Sequence, residues 1–385
     1  MAGRSIFDTE DAMRLARRRM PRMMFDFVQG AVGSELAAEL NSEAIRQIRL
    51  CPRVLVNVDG RTLSKTFLGE EMGLPFGIAP MGMCNLVWPG ADQILASQAA
   101  EHKIPVGVST AASTCLEEMF ERSEGRAWFQ LYVYQSHEAA FELVDRAAAA
   151  GYTKLLLTVD VTQLSRRVRD LRNGFQVPFK MGPRQFVDFM LHPTWSLTTL
   201  AKGVPSPQNY DALKGDANAT RKANRGSADW DFLKRLRERW KHSLLVKGVL
   251  SPDDAVKIKH IGADGISVSN HGGRQLDSAP AAIHALPAVR AAVGPDYPLV
   301  FDSGLRSGED VVKALAMGAD FALLGRPMLY AVGANGERGL NQLIDAFRQD
   351  IDVALSQTGL RDVADVSTQI LHGQEPASPQ STRGT

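Results

Sequence analysis

Gly265-Ile266-Ser267-Val268-Ser269-Asn270-His271-Gly272-Gly273-Arg274-Gln275-Leu276-Asp277 is the stretch from which the rest of the chain can be read. Its first four residues are apolar or small and of strand length, and the remainder is polar and rich in glycine. A buried strand therefore ends where a turning loop begins. The two glycines between His271 and Arg274 let the backbone turn tightly, so that an imidazole and a guanidinium can face one cleft. There His271 could take up a proton while Arg274 clamps a carboxylate through paired hydrogen bonds. An isolated His/Arg pair is more often a satisfied core histidine and a surface arginine, so the neighbouring segments must decide.

Working outward, the same grammar repeats from Pro75 onward: an apolar or β-branched run of strand length, then a helical stretch. The runs are Phe76 to Pro80, Val106 to Thr110, Trp128 to Val133, Leu155 to Asp160, Leu244 to Lys247, Gly265 to Asn270, Leu299 to Asp302 and Ala322 to Gly325. Between them, His137 to Ala150, Asp253 to Ile261 after Ser251-Pro252, and Gly308 to Met317 read as helices. Eight strands alternating with helices predict an α/β fold of the (β/α)8 TIM barrel type. An open doubly wound sheet is disfavoured because no GxGxxG follows a first strand. Residues 8 to 48 read as short helices interrupted at Pro21, a preface to the barrel.

Between Asp160 and Leu244 there are too many residues for one crossover. Within this stretch Phe186, Val187, Phe189, Met190, Leu191 and Trp195 are interleaved with Lys180, Arg184 and Lys202, while Gly203 to Ser227 is polar and loop-like. An amphipathic, basic segment of this kind fits a membrane surface, and equally a lid or a subunit contact. The end of the chain from Gly373 is rich in Pro, Ser, Gly and Thr and is expected to be disordered.

Composition bounds the function. With 385 residues and 44% hydrophobic content the chain can bury a large core. Lys+Arg 44 against Asp+Glu 43 leaves a net charge of +1, which argues against nucleic acid as a partner. Cys51, Cys84 and Cys115 fit no metal-binding spacing, so no metal is expected, and their odd number suits a reducing compartment. No apolar stretch precedes Asp8 and no run of about eighteen apolar residues occurs, so neither a signal peptide nor a membrane span is expected.

Barrels carry their chemistry at the C-terminal ends of the strands. Those ends supply Pro80-Met81-Gly82, Ser109-Thr110, Gln130 with Tyr132, Thr158 with Asp160, Lys247, Ser269 with His271, Asp302 with Gly304 and Arg306, and Gly325-Arg326. Glycines and arginines after the last two strands mark where barrels commonly hold a phosphate, so a phosphorylated cofactor is expected. Lys247 ends a buried-looking strand and needs an anion, either a cofactor ring that gains negative charge on reduction or Asp302. Asp160 could hydrogen-bond the second ring nitrogen of His271 and stabilise its imidazolium; the bland alternative is a helix cap.

Ser269 to Asp277, with Phe129-Gln130-Leu131-Tyr132, Thr158-Val159-Asp160, Lys247-Gly248, Asp302-Ser303-Gly304 and Gly325-Arg326, resembles the FMN-dependent 2-hydroxy-acid dehydrogenase and oxidase family. The likeness runs from about Asp8 to about Gly359. It implies FMN as cofactor and oxidation of an (S)-2-hydroxy acid to the 2-oxo acid. His271 matches the family's base and Asp160 its orienting carboxylate. Arg274 and Arg167 match the arginines that bind the substrate carboxylate, and Tyr132 a tyrosine that bonds the substrate. Ser109, Gln130, Thr158, Lys247 and Ser269 match residues around the flavin ring and ribityl chain. Gly82 matches a backbone contact near flavin N5, Pro80 and Met81 are further cofactor-binding positions, and Asp302, Gly304, Arg306, Gly325 and Arg326 match the ribityl and phosphate site.

The chain departs from the pattern at Phe27, which stands where the family has a tyrosine touching the substrate carboxylate. That substitution keeps open a larger carrier-bound or peptide substrate, and an oxygen-using oxidase that makes hydrogen peroxide is a further alternative. The segments Trp88-Pro89, Ser109-Thr110-Ala111 and Leu191 to Leu197 extend the likeness to the mandelate and L-lactate dehydrogenase branch. Ala111 in place of a bulky tryptophan implies room for an aromatic or bulky side chain. The resemblance further implies one domain over residues 1–372 with an insert at 173–228 and a tail at 373–385, and a homotetramer. It also implies a cytoplasmic protein that can lie on the inner face of the cell membrane through residues 175–205, with a membrane quinone as a possible electron acceptor.

Overall fold

A computed structural model of the chain describes residues 5–134, 136–175, 182–209 and 228–373. Two short antiparallel strands, β1 (Lys65–Phe67) and β2 (Glu70–Met72), precede the main sheet. Eight parallel strands then follow: β3 (Phe76–Met81), β4 (Val106–Ser109), β5 (Ala127–Leu131), β6 (Lys154–Thr158), β7 (Ser243–Val249), β8 (Gly265–Val268), β9 (Leu299–Phe301) and β10 (Phe321–Leu324). They pair in chain order, and β10 closes onto β3 to complete a TIM barrel. All eight expected strands are present with only their ends shifted.

The barrel strands are mostly apolar along their length because both faces are covered, the inner by the barrel core and the outer by helices, and their polar residues fall mainly at the ends. Inside, Phe67, Trp128, Leu156, Leu245, Val300 and Phe321 form one buried cluster. Phe67 comes from the β1–β2 hairpin, stacked 5.1 Å from Phe321, while Glu70 on its second strand ion-pairs with Lys154 at the start of β6. The hairpin therefore plugs the N-terminal end of the barrel, and the polar strand ends gather at the other. No strong turn signal announces this hairpin, since Leu68-Gly69 is not one of the dipeptides that favour tight β-turns.

The helices start where capping residues permit. Ser136, Ser251 and Ser307 each accept a hydrogen bond from the backbone N–H three residues on, opening helices His137–Ala149, Pro252–Ile261 and Gly308–Ala316. The preface consists of helices Thr9–Arg19, Arg22–Gln29 and Leu36–Gln47, the first capped by the Asp8 side chain. A long helix, Arg326–Thr358, leaves β10 and kinks at Asn335-Gly336.

After β6 the insert contributes helices Pro183–Leu191 and Pro193–Lys202. Phe186, Val187, Met190, Leu191, Leu197 and Leu200 are exposed on them. Trp195, expected to belong to this outward face, turns inward instead: it is buried, and its indole N–H donates to Leu86 O at 2.9 Å. An aromatic ring with a polar edge is well suited to anchoring the insert on the barrel. Of the loop expected over Gly203 to Ser227, residues 210–227 lie outside the described residues, as does the expected tail beyond Gly373.

Candidate active site

A cavity of about 610 Å3 opens at the C-terminal mouth of the barrel. Its wall includes Pro80 and Met81 at the end of β3 with Gly82 after it, Ser109 at the end of β4, Lys247 on β7, His271 and Arg274 after β8, Asp302, Gly304 and Arg306 after β9, and Gly325 with Arg326 after β10. Phe27, Tyr132 and Arg167 complete it. Gln130, Thr158, Ser269 and Asp160 lie one layer behind. Ser109 Oγ donates to Gln130 Oε1 at 2.9 Å, and Gln130 Nε2 donates to Thr158 Oγ1 at 3.0 Å, a buried relay that fixes the Ser109 hydroxyl.

His271 Nδ1 lies 3.0 Å from Asp160 Oδ1 and 3.2 Å from Oδ2. An ionised carboxylate can only accept, so the proton is assigned to Nδ1 and the lone pair to Nε2, 3.4 Å from the Tyr132 hydroxyl. The backbone makes room for this pair. Gly248 has φ +102°, and a Cβ there would fall 2.5 Å from Asp160 Cβ, so only glycine lets Asp160 approach the histidine.

Lys247 is buried. Its ammonium donates to Ser269 Oγ at 2.8 Å and to Asp302 Oδ2 at 2.5 Å, and Ser269 Oγ donates to Asp302 Oδ1 at 2.6 Å. Asp302, one of the two anions that the sequence offered, is in contact with Lys247. Burial acts to raise the Asp302 carboxyl, but the Lys247 charge and the hydrogen bonds outweigh it, leaving it below the ordinary carboxylate value.

The arginines are arranged differently. Among the described residues Arg274 donates to backbone carbonyls alone, Gly30 O at 2.7 Å and Phe27 O and Val28 O at 3.2 Å. Arg326 donates to Gly272 O at 2.8 Å and to Val28 O and Gly30 O at 3.2 Å. Among the described residues neither has a carboxylate within ion-pair range, whereas Arg167 pairs with Asp170 at 3.2 Å. Burial, and then the charges of Arg167 and Arg326, pull Arg274 well below the ordinary arginine value. Burial brings Arg326 down to about 10. Guanidinium charge buried without a counter-ion calls for an anion from outside. At Arg326 and Arg306, beside Gly304 and Gly325, that anion fits a phosphate. At Arg274 and Arg167, beside His271, it fits a carboxylate. The site residues therefore suit both ends of a phosphorylated cofactor and an acidic substrate.

The sequence left out several wall residues. Phe175 stacks on Phe27 with ring centroids 4.7 Å apart, and Val204, Pro205 and Pro207 from the insert roof the cavity. Asn209, buried, pins that roof: its Oδ1 accepts from Leu116 N at 2.8 Å and its Nδ2 donates to Ser109 O at 3.2 Å. The Pro-Ser-Pro spacing, which restricts the backbone to extended conformations, is the one local sign of a strap rather than a loose linker.

Residues 16–373 match the family model of the FMN-dependent dehydrogenases. The chain belongs to this family: it is a flavoprotein oxidoreductase that uses FMN and is related to enzymes acting on 2-hydroxy acids. Among individual relatives, (S)-mandelate dehydrogenase of Pseudomonas putida is 38% identical over 96% of this chain and 95% of its own length. L-lactate dehydrogenase of Pseudomonas syringae pv. syringae is 36% identical over 95% of this chain and 98% of its own. In three dimensions, the crystal structure of the monotopic membrane protein (S)-mandelate dehydrogenase aligns with a TM-score of 0.92 at 37% identity, covering 96% of this chain and 100% of that one. A mandelate oxidase structure aligns at 0.82 and 32% identity, covering 93% and 96%.

Proposed function

We propose that the enzyme oxidises an (S)-2-hydroxy acid with an aromatic or bulky side chain to the 2-oxo acid. The observation that carries this reading is the pairing of unneutralised Arg274 with the His271–Asp160 couple on one cavity wall. Arg274 and Arg167 hold the substrate carboxylate, and the Tyr132 hydroxyl bonds the substrate beside His271 Nε2. That orientation places the carbinol carbon next to the base. His271 Nε2 takes one of the two protons that leave the substrate, and Asp160 stabilises the resulting imidazolium. FMN, when bound, would supply the acceptor for the two electrons and the second proton. Met81, Gly82, Ser109 and Lys247 would contact its ring, with Pro80 beside them and Gln130, Thr158 and Ser269 bracing that wall from behind. Asp302, Gly304, Arg306, Gly325 and Arg326 would hold its ribityl phosphate.

Ala111, Phe27, Phe175, Val204 and Pro207 leave an apolar surround for the side chain, which favours an aryl group over a methyl. The test is anaerobic titration of the purified holoprotein with (S)-mandelate, (S)-lactate and a panel of 2-hydroxy acids. Bleaching of the flavin by an aryl or bulky acid is expected, and bleaching by none of them would overturn the assignment. The likeness to a mandelate oxidase supports a second reading in which oxygen is the acceptor. Rapid aerobic reoxidation with stoichiometric hydrogen peroxide would select it.

The exposed apolar helices Pro183–Leu191 and Pro193–Lys202 support peripheral attachment to the inner face of the cell membrane, where a quinone can collect the electrons. A solved relative is itself described as a monotopic membrane protein, and no helix among the described residues is long and apolar enough to cross a membrane. In this reading the chain acts as one domain with an insert and assembles as a homotetramer, which light scattering in detergent would test.

A further inference from the structure

The loop carrying His271 is held in an uncommon conformation. His271, Gly272 and Gly273 follow one another at φ +59°, +64° and +75°, three consecutive left-handed residues of which the first is not glycine. A side chain in that region is strained and persists only where the surroundings over-determine it. Glycine at 273 is required for another reason: a Cβ there would lie 2.4 Å from Ala38 N, so the loop is pressed against helix Leu36–Gln47.

From that helix Asn41, 1% exposed, reaches the loop. Asn41 Nδ2 donates to Asn270 Oδ1 and Asn270 Nδ2 donates to Asn41 Oδ1, both at 2.8 Å, which forms a closed carboxamide pair. Backbone groups fix the orientation of both amides. Asn41 Oδ1 also accepts from Ala282 N at 3.0 Å, Asn270 Oδ1 from Gly273 N at 3.1 Å, and Asn270 Nδ2 donates to Pro280 O at 3.0 Å. Every donor and acceptor of Asn270 is thereby committed, and the residue next to it is His271.

We propose that Asn41 is a positioning residue for the reaction: its carboxamide locks Asn270 so that the left-handed turn aims His271 Nε2 at the substrate. The inference rests on the reading of His271 as the base. Arg274 is secured separately by the carbonyls of residues 27, 28 and 30, so loss of the pair disturbs the base while leaving the carboxylate clamp in place. Misplacement of a reacting group by about 1 Å costs about a hundredfold in rate.

The experiment compares wild type, Asn41→Ala, Asn41→Asp and His271→Asn as purified holoproteins, using the hydroxy acid that bleaches the wild-type flavin. For Asn41→Ala, kcat per bound flavin is expected to fall about ten- to a hundredfold. KM, and product binding read from the flavin spectrum, should stay within about threefold, and the isotope effect of α-deuterated substrate should rise. In Asn41→Asp an ionised carboxylate would turn an oxygen toward Asn270 Oδ1, and protonation would restore the donor. Its turnover relative to wild type should therefore climb as pH falls. If Asn41→Ala lost thermal stability but kept wild-type kcat per flavin, or if the ratio of Asn41→Asp turnover to wild-type turnover stayed flat with pH, the inference would be overturned. Should Asn41→Ala fail to fold, the pH profile of that ratio alone decides. Undiminished turnover in His271→Asn would instead show that the base reading itself is wrong.

Discussion

Phe175 lies nearly flat on Phe27, centroids 4.7 Å and planes 18° apart, and the guanidinium carbons of Arg167 and Arg274 stand 5.6 and 5.9 Å from the Phe27 ring centre. An apolar ring thus occupies the flank of the proposed carboxylate clamp, where it offers a face to the cations and no hydrogen bond to the substrate. For Phe27→Tyr we expect KM for a small acid such as (S)-lactate to fall about tenfold, with kcat within a few-fold. A hydrogen bond to a charged group contributes about 1.5 to 3 kcal/mol. Steady-state kinetics checks this, and an unchanged KM would show that the hydroxyl finds no place there.

Asp160→Asn keeps the shape of the couple but offers an amide to His271 Nδ1, which favours the wrong tautomer. A fall in kcat of about 10²- to 10⁴-fold is expected, with little change in product binding. Rapid-reaction measurement of flavin reduction separates this from a loss of flavin.

The Lys247–Asp302 pair sets one acid limit on stability. A carboxyl whose folded-state pKa lies below its unfolded value contributes stability above the unfolded value, and that contribution is lost as pH falls through the folded value. The pair should therefore contribute fully from about pH 5 upward and fail below about pH 4. Lys247→Met strands a buried carboxylate, costing about 3 to 5 kcal/mol near neutrality, and reverses the slope because protonation now relieves the strain. Thermal melts of wild type, Lys247→Met and Lys247→Met with Asp302→Asn from about pH 2 to about pH 8 check both points, and the double variant should recover much of the loss.

Leu191 and Leu200 are 73% and 80% exposed on the insert helices. Changing both to Glu should abolish co-sedimentation with anionic phospholipid vesicles while leaving turnover with a soluble acceptor within about twofold, since neither lines the cavity. Retained sedimentation would move the membrane contact elsewhere.

Much of this architecture is legible in the sequence alone. Strands such as Leu244-Leu245-Val246 and Leu155-Leu156-Leu157 are unbroken apolar runs, a local signal strong enough to survive without context. The proposed chemical residues are legible for a related reason, since a barrel delivers every strand end to one mouth. Three kinds of feature stay hidden. The β1–β2 hairpin is short and polar on one side, and its turn pair Leu68-Gly69 is not one of the favoured dipeptides. Trp195 looks like one more apolar residue of an amphipathic run, and only its bond to Leu86 O reveals an anchor. Asn41 sits in an ordinary surface-patterned helix, and its partner is 229 residues away, a separation at which no periodicity speaks.

That separation has a consequence for how the protein is made. On the ribosome, helix Leu36–Gln47 emerges long before the loop it is to grasp exists, so Asn41 waits without its counterpart until β8 and its loop have been synthesised. Helix and loop join late, as a long-range closure of the kind that slows folding. A nascent chain arrested before Asn270 would carry Asn41 without its partner, and the loop of the proposed base acquires its working geometry only when the third helix is folded against the last third of the chain.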